Sequence, residues 1–201
     1  MAPEARRAQV IAVAADLFAR SGYHHVSMDE IADRAGVGKP VLYRHFRSKL
    51  GLYLDVIDAR GQALVAAIDA SLTGPSDATA DGRQVVRGVV KAYVQFVEDS
   101  GESFSLLFES DVTRDSDVRE RVERASAAAA QAVCRGLREL AGLPPAHAAL
   151  LSAGLVGLAR VAATGRYRSQ EVSVEETVEL VTRLAWAGVA GFVNGRAEQP
   201  A

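Results

Sequence analysis

The chain has 201 residues, 49% hydrophobic and 24% charged, with a formal net charge of −2, the makeup of an ordinary soluble globule with a real core. Its single cysteine, Cys134, excludes an intrachain disulfide and fits a reducing compartment. The longest apolar stretches, near 148–159 and 184–193, are cut by Ser152, Arg160 and Arg183, and Asp16 and Arg20 interrupt the first apolar stripe, so neither a membrane span nor a signal peptide is expected and the protein should stay in the cytoplasm.

Val10, Ile11, Ala14, Leu17 and Phe18 recur at the helical period and predict a helix over 4–20, stopped at Gly22. Ser27 followed by Glu30 spells a capping box, so a short helix starts at Met28 with Ile31 and Ala35 inward. Gly36 ends it. A further helix starts around Pro40, which suits a first turn because its missing N–H needs no partner there, with Lys39 as the cap. Leu42 and Phe46 face inward, leaving Val41, Tyr43, Arg44 and His45 outward. Helices of about 48–72, 82–100, 115–141, 146–165 and 173–195 follow, punctuated by Gly74-Pro75, Gly101 and Pro144-Pro145. Ser173 and Glu176 repeat the capping-box spelling before the last helix. Alternating strand patterns are absent, so the fold class is all-α.

Charge is divided unevenly. Residues 1–60 hold nine Lys or Arg against seven Asp or Glu, which leaves an acidic remainder and marks the first third as the anion-facing part. Within it, a helix, a short turn at Gly36 and a second helix with a basic outer face form a helix-turn-helix arrangement able to enter a major groove. A helical hairpin with a merely solvated basic face is the alternative.

The stretch "LFARSGYHHVSMDEIADRAGVGKPVLYRHFRSKLGLY" decides between them, because it resembles the DNA-binding signature of the TetR family of bacterial transcriptional regulators. Leu17, Phe18, Gly22, Tyr23, Ser27, Ile31, Ala32, Ala35, Gly36, Val37, Leu42, Tyr43, Phe46, Ser48 and Lys49 all carry the resemblance. It implies a three-helix DNA-binding domain over 1–50, joined by a continuous helix to a larger helical ligand-binding and dimerisation domain over 51–201. Its implied partners are a double-stranded DNA operator, a small-molecule effector and a second copy of the chain, with repression as the default outcome. Ser27, Tyr43, His45 and Lys49 take phosphate-contacting roles by the resemblance, Lys49 aided by a helix N-terminus that attracts anions. Lys39, Val41 and Arg44 are the candidates for base readout, Arg44 by a bidentate contact to guanine and Val41 against a thymine methyl. Two positions depart from the pattern: Pro40 stands where glycine or alanine is common and removes a backbone donor, and Leu50 stands where an acidic residue is common.

The remaining chain carries architecture rather than motifs. Gly154 and Gly157 in the penultimate helix and Gly188, Gly191 and Gly195 in the last each cost roughly 1 kcal/mol relative to alanine inside a helix. A close contact should compensate, either within one protomer or across a two-fold interface; the need to span half-sites about 34 Å apart favours the interface. Tyr93, Phe96, Val97, Phe104, Leu107 and Phe108 gather around Gly101. Alone they read as core; the resemblance implies a cavity for an apolar or amphipathic ligand.

Other functions fit less well. His24, His25, His45 and His147 show no metal-ligand spacing, Cys134 has no histidine nearby in sequence, and no glycine-rich phosphate loop occurs, so no catalytic residue, metal or cofactor is expected. A helical interaction protein that has lost DNA binding is opposed by the basic face with Tyr43 and Lys49 intact. A helix-turn-helix regulator without a small-molecule ligand stays open.

Overall fold

A computed structural model of the chain describes residues 3–72, 82–109, 112, 115–141 and 143–194, and the side chains of all of these except 140, 141 and 189–194. The helices run α1 Pro3–Ser21, α2 Met28–Arg34, α3 Lys39–His45, α4 Lys49–Leu72, α5 Gly82–Ser100, a 3-10 turn Gly101–Phe104, α6 Ser105–Phe108, α7 Ser116–Ala141, α8 Pro145–Ser169 and α9 Val174–Asn194. Among the described residues there is no strand, as the periodicity predicts. The expected breaks at Gly22, Gly36, Gly101 and Pro144 are found, whereas Gly74-Pro75 and Gly195 lie outside the described residues. The 3-10 turn and α6 were not foreseen.

The chain forms two compact units drawn differently from the expected division at residue 50. One comprises residues 1–63 and 100–126, the other 64–99 and 127–201, so α4 and α7 each contribute to both.

In the first unit, α2 packs on α1 and α3, and the 3-10 turn and α6 pack on α1. The core holds Val10, Ala14, Leu17 and Phe18 of α1, Ile31 of α2, Leu42 and Phe46, and Leu52, Tyr53, Val56 and Ile57 of α4. Phe18 and Tyr53 meet edge to face at 5.1 Å, and Tyr23 lies edge-on to Tyr53 at 4.9 Å, an arrangement suited to the quadrupoles of aromatic rings. Arg7 ties α1 to α4 through Asp55 at 2.8 Å and lies over the Phe46 ring. Burial, then the nearby Asp115 charge, pushes the Tyr23 phenol above its ordinary pKa.

In the second unit, α5 buries Val86, Val89, Val90, Tyr93, Val94 and Val97, and α8 and α9 pack on each other. Ion pairs join Arg83 to Glu179 at 2.6 Å, Arg135 to Asp69 at 2.9 Å, and Arg166 to Glu98. The α8 helix corrects one expectation: by length and composition it contains a window apolar enough to cross a membrane, with mean hydropathy 1.5. The interruption expected at Ser152 carries little weight, because its hydroxyl donates to the Ala149 carbonyl at 2.9 Å within the helix. The helix nevertheless turns Ala148, Ser152, Leu155, Ala159 and Ala163 into its unit.

Candidate nucleic-acid interface

Local capping sets the geometry of α2 and α3. Ser27 adopts extended backbone, φ −105° and ψ 156°, and its Oγ accepts from the Glu30 N–H at 3.1 Å, satisfying one of the orphan donors of the first turn. Gly36 takes φ +61°, a left-handed conformation that costs glycine no steric penalty. The Val37 N–H then closes back on the Ala32 carbonyl at 3.0 Å. The cap of α3 is Gly38, not Lys39: the Gly38 carbonyl accepts from Val41 and Leu42 at 2.9 and 3.1 Å, so Lys39 enters the first turn despite the bias ahead of a proline. Pro40 stands in that turn and is exposed. Leu42 and Phe46, fully buried, anchor the helix. Its opposite side presents Tyr43, 48% exposed, and Arg44, with Val41 half-buried between the two faces.

The cations of this face differ in how free they are. The Lys39 ammonium pairs with Asp29 of α2 at 2.7 Å with both side chains more than half exposed, and the hydrogen bond and charge of Asp29 hold its pKa above the usual value. Such a surface pair contributes little stability, so a phosphate can take the place of Asp29 at small cost. Arg44 is exposed and has no ion pair among the described residues. Arg47, one residue beyond the Phe46 cap, shares both properties and was missed as a site residue, although the run of basic residues through 27–49 signals it.

Two predicted phosphate contacts are placed otherwise than expected. The Lys49 ammonium is neither a free clamp nor simply solvated: it donates to the Tyr23 carbonyl at 2.9 Å and the Val26 carbonyl at 3.0 Å, and lies 4.4 Å from the Tyr23 ring centroid. One of its three N–H donors is left for a phosphate. Ser48 caps α4 as expected, accepting from the Gly51 N–H at 3.0 Å. His45 turns its Nε2 inward beside Phe46, buried and without a hydrogen-bond partner, so that nitrogen does not face a phosphate in this rotamer.

A family model described as "Bacterial regulatory proteins, tetR family" matches residues 10–56, the segment just built. A transcriptional activator of Mycolicibacterium smegmatis, FasR, is 36% identical over 188 residues, spanning 92% of this chain and 83% of that protein. The chain belongs to the TetR family. Two solved structures agree: a TetR-like regulator from Rhodococcus sp. RHA1, 27% identical over 92% of this chain and 96% of that one with a TM-score of 0.72, and a TetR-family regulator from Streptomyces coelicolor, 26% identical over 98% and 85% with a TM-score of 0.73. As a TetR-family member the protein is a helix-turn-helix DNA-binding transcriptional regulator.

The residues that the TetR resemblance assigned to a ligand cavity are divided between the two units. Tyr93, Phe96 and Val97 are buried in the second, while Phe104 and Leu107 are buried in the first, with the Phe104 and Phe108 rings 6.3 Å apart. Of the glycines, a methyl group added at Gly154, Gly157 or Gly188 would meet no heavy atom within 4 Å. Gly191 lies in α9, with its surroundings outside the described residues.

Proposed function

We propose that this TetR-family regulator acts in the cytoplasm as a two-fold homodimer on a palindromic operator, and that an apolar or amphipathic small molecule releases it. The observation that carries the dimer is an uncovered apolar face on α8 and α9. Leu150, Gly154, Gly157 and Val161 follow one another at helical spacing, and Leu150 and Val161 are 75% and 64% exposed. On α9, Leu180 and Leu184 are 49% and 65% exposed, and Gly188 stands one turn further on. Apolar surface of this kind on a folded protein marks a docking face. The open space at the three glycines removes packing inside the protomer as their reason, and small residues let partner helices approach closely. A dimer built there carries two recognition helices for half-sites about 34 Å apart.

Gly157→Leu and Gly188→Leu test this reading. Each places a bulky side chain where an added Cβ meets no heavy atom within 4 Å, so helical content should persist while the dimer dissociates and operator binding is lost. Light scattering that finds intact dimers for both variants moves the interface elsewhere.

The effector reading is supported by the buried α5 aromatics and by α4, an unbroken helix that begins beside α3 and contributes Leu64 and Ile68 to the second unit. A ligand that tilts its later turns alters the placement of its first. Linkage requires operator DNA to weaken ligand binding by the factor by which ligand weakens DNA binding, so equal ligand affinity with and without saturating operator rules the reading out.

Repression, by a dimer occupying its operator, is the default. Activation is the second reading, favoured by the activator role of the Mycolicibacterium smegmatis relative. Transcripts beside the operator that rise on deletion of the gene mark a repressor, and those that fall mark an activator.

A further inference from the structure

Lys39 opens α3, and its ammonium is held at 2.7 Å by Asp29 in the first turn of α2. The pair therefore joins the two helices of the helix-turn-helix at the N-terminal end of α3, and the N-terminal residues of a recognition helix are those that meet base edges. Asp33, one turn further along α2, adds its negative charge to the hold. Exposed Tyr43 stands one turn along α3 from Lys39. Neither side chain of the pair caps a helix: Ser27 caps α2 through its own Oγ, and the Gly38 carbonyl starts the hydrogen bonds of α3. With both side chains exposed, the pair adds little to the stability of the fold.

Its effect falls on where the cation can go. A lysine is a point charge on a flexible four-carbon stem, and an untethered one beside DNA takes a nearby phosphate. Asp29 alters that balance in two ways. An ammonium that leaves for a phosphate abandons a carboxylate in the negative field of the DNA, a repulsion that every duplex imposes. An ammonium that stays keeps two of its three N–H donors free, enough to reach the O6 and N7 acceptors of a guanine edge. We propose that Asp29 is a positioning residue for sequence readout, tethering Lys39 so that its ammonium meets a base edge and is withheld from the backbone. The inference rests on the operator-binding reading above, with α3 in the major groove, and adds to it what directs Lys39.

The test compares full-length wild type, Asp29→Asn, Asp29→Glu, Lys39→Ala and the Asp29→Asn, Lys39→Ala double variant. Each is bound to a library of operator variants and to an unrelated duplex at several salt concentrations. Lys39→Ala should lose a preference of about fivefold or more at one base pair per half-site, with the salt slope nearly unchanged. Asp29→Asn should lose the same preference although Lys39 is intact. It should also bind the unrelated duplex more tightly, with a slope steeper by about 0.9 per protomer, or about 1.8 for a dimer. Asp29→Glu, which keeps the charge, should retain part of the preference. The double variant should return to the slope of Lys39→Ala, because the added phosphate contact is made by Lys39. Wild-type preference and slope in Asp29→Asn, or a weakening there that is equal for every duplex, overturns the proposal. A preference untouched by Lys39→Ala also overturns it, since Asp29 then has no reader to position, but leaves operator binding by the dimer standing. Wild type that holds all duplexes equally sinks both readings.

Discussion

The Lys49 ammonium donates to the backbone carbonyl of Tyr23 at 2.9 Å, and from the same position reaches the Val26 carbonyl at 3.0 Å. These bonds tie the first turn of α4 to the loop that presents Ser27, so Lys49 positions the interface from within. Lys49→Met should therefore destabilise the fold by about 1.5 kcal/mol, the low end for bonds to a charged group because the site is only part-buried. A pure phosphate clamp instead leaves stability unchanged and lowers the salt slope of a dimer by about 1.8. Urea unfolding and binding at two salt concentrations separate the two: an unaltered unfolding midpoint with that drop in slope would sink the positioning role.

Arg44 and Tyr43 stand on the exposed side of α3, and they should fail differently when changed. Arg44→Ala should relax preference at one base pair per half-site, at a cost of roughly 1–3 kcal/mol there. Tyr43→Phe should weaken binding to every duplex alike, since phosphate contacts position a protein without reading sequence. Binding to a library of operator variants checks both. A uniform loss for Arg44→Ala would make it a phosphate contact.

The legible part of the site was written in local chemistry. Ser27 and Glu30 are three residues apart, Gly36 must turn left-handed, and Leu42 and Phe46 share a helical face, so α2 and α3 and the outward direction of Tyr43 and Arg44 followed from short windows. What escaped depends on residues distant in sequence. The carbonyls that hold Lys49 lie 26 and 23 residues away, and no pattern announces them. The 3-10 turn and α6 are too short to show a period and are defined by packing on α1. The side of the ring that His45 buries is a rotamer choice beside Phe46. The exposure of Leu150, Val161, Leu180 and Leu184 became visible only once α8 and α9 were set against their own unit.

Tyr93 gives the second unit an alkaline limit. Its ring is 1% exposed and burial raises its phenol pKa well above 10, with the Arg160 charge acting in the opposite direction. In the unfolded chain the phenol ionises near pH 10. Below that pH both states hold the proton, and as pH rises past it only the unfolded chain releases it, so stability is full below about pH 10 and falls above it. The fall should approach 1.4 kcal/mol per pH unit from this group. Tyr93→Phe should flatten it, whatever the substitution costs at neutral pH. Urea unfolding at several pH values above and below 10 measures the slope, and equal slopes for wild type and variant would show that Tyr93 ionises in the folded state too.

Gly61 marks a close helix contact in the first unit. A methyl group there would lie 2.7 Å from the Ala125 Cβ on α7, nearer than such atoms approach. Ala125 has no rotamer with which to withdraw, so the backbones of α4 and α7 must separate to admit it. Alanine has the better helix propensity by about 1 kcal/mol, and on an exposed helix the change would stabilise. Here overpacking, typically costing 1–3 kcal/mol, acts against it. Gly61→Ala should therefore lower the stability of the protein, and Gly61→Ala combined with Ala125→Gly should recover most of the loss by removing the methyl it strikes. Thermal melts of the single and double variants form the cycle. Additive losses, with no recovery in the double variant, would mean that α4 and α7 do not meet at this pair.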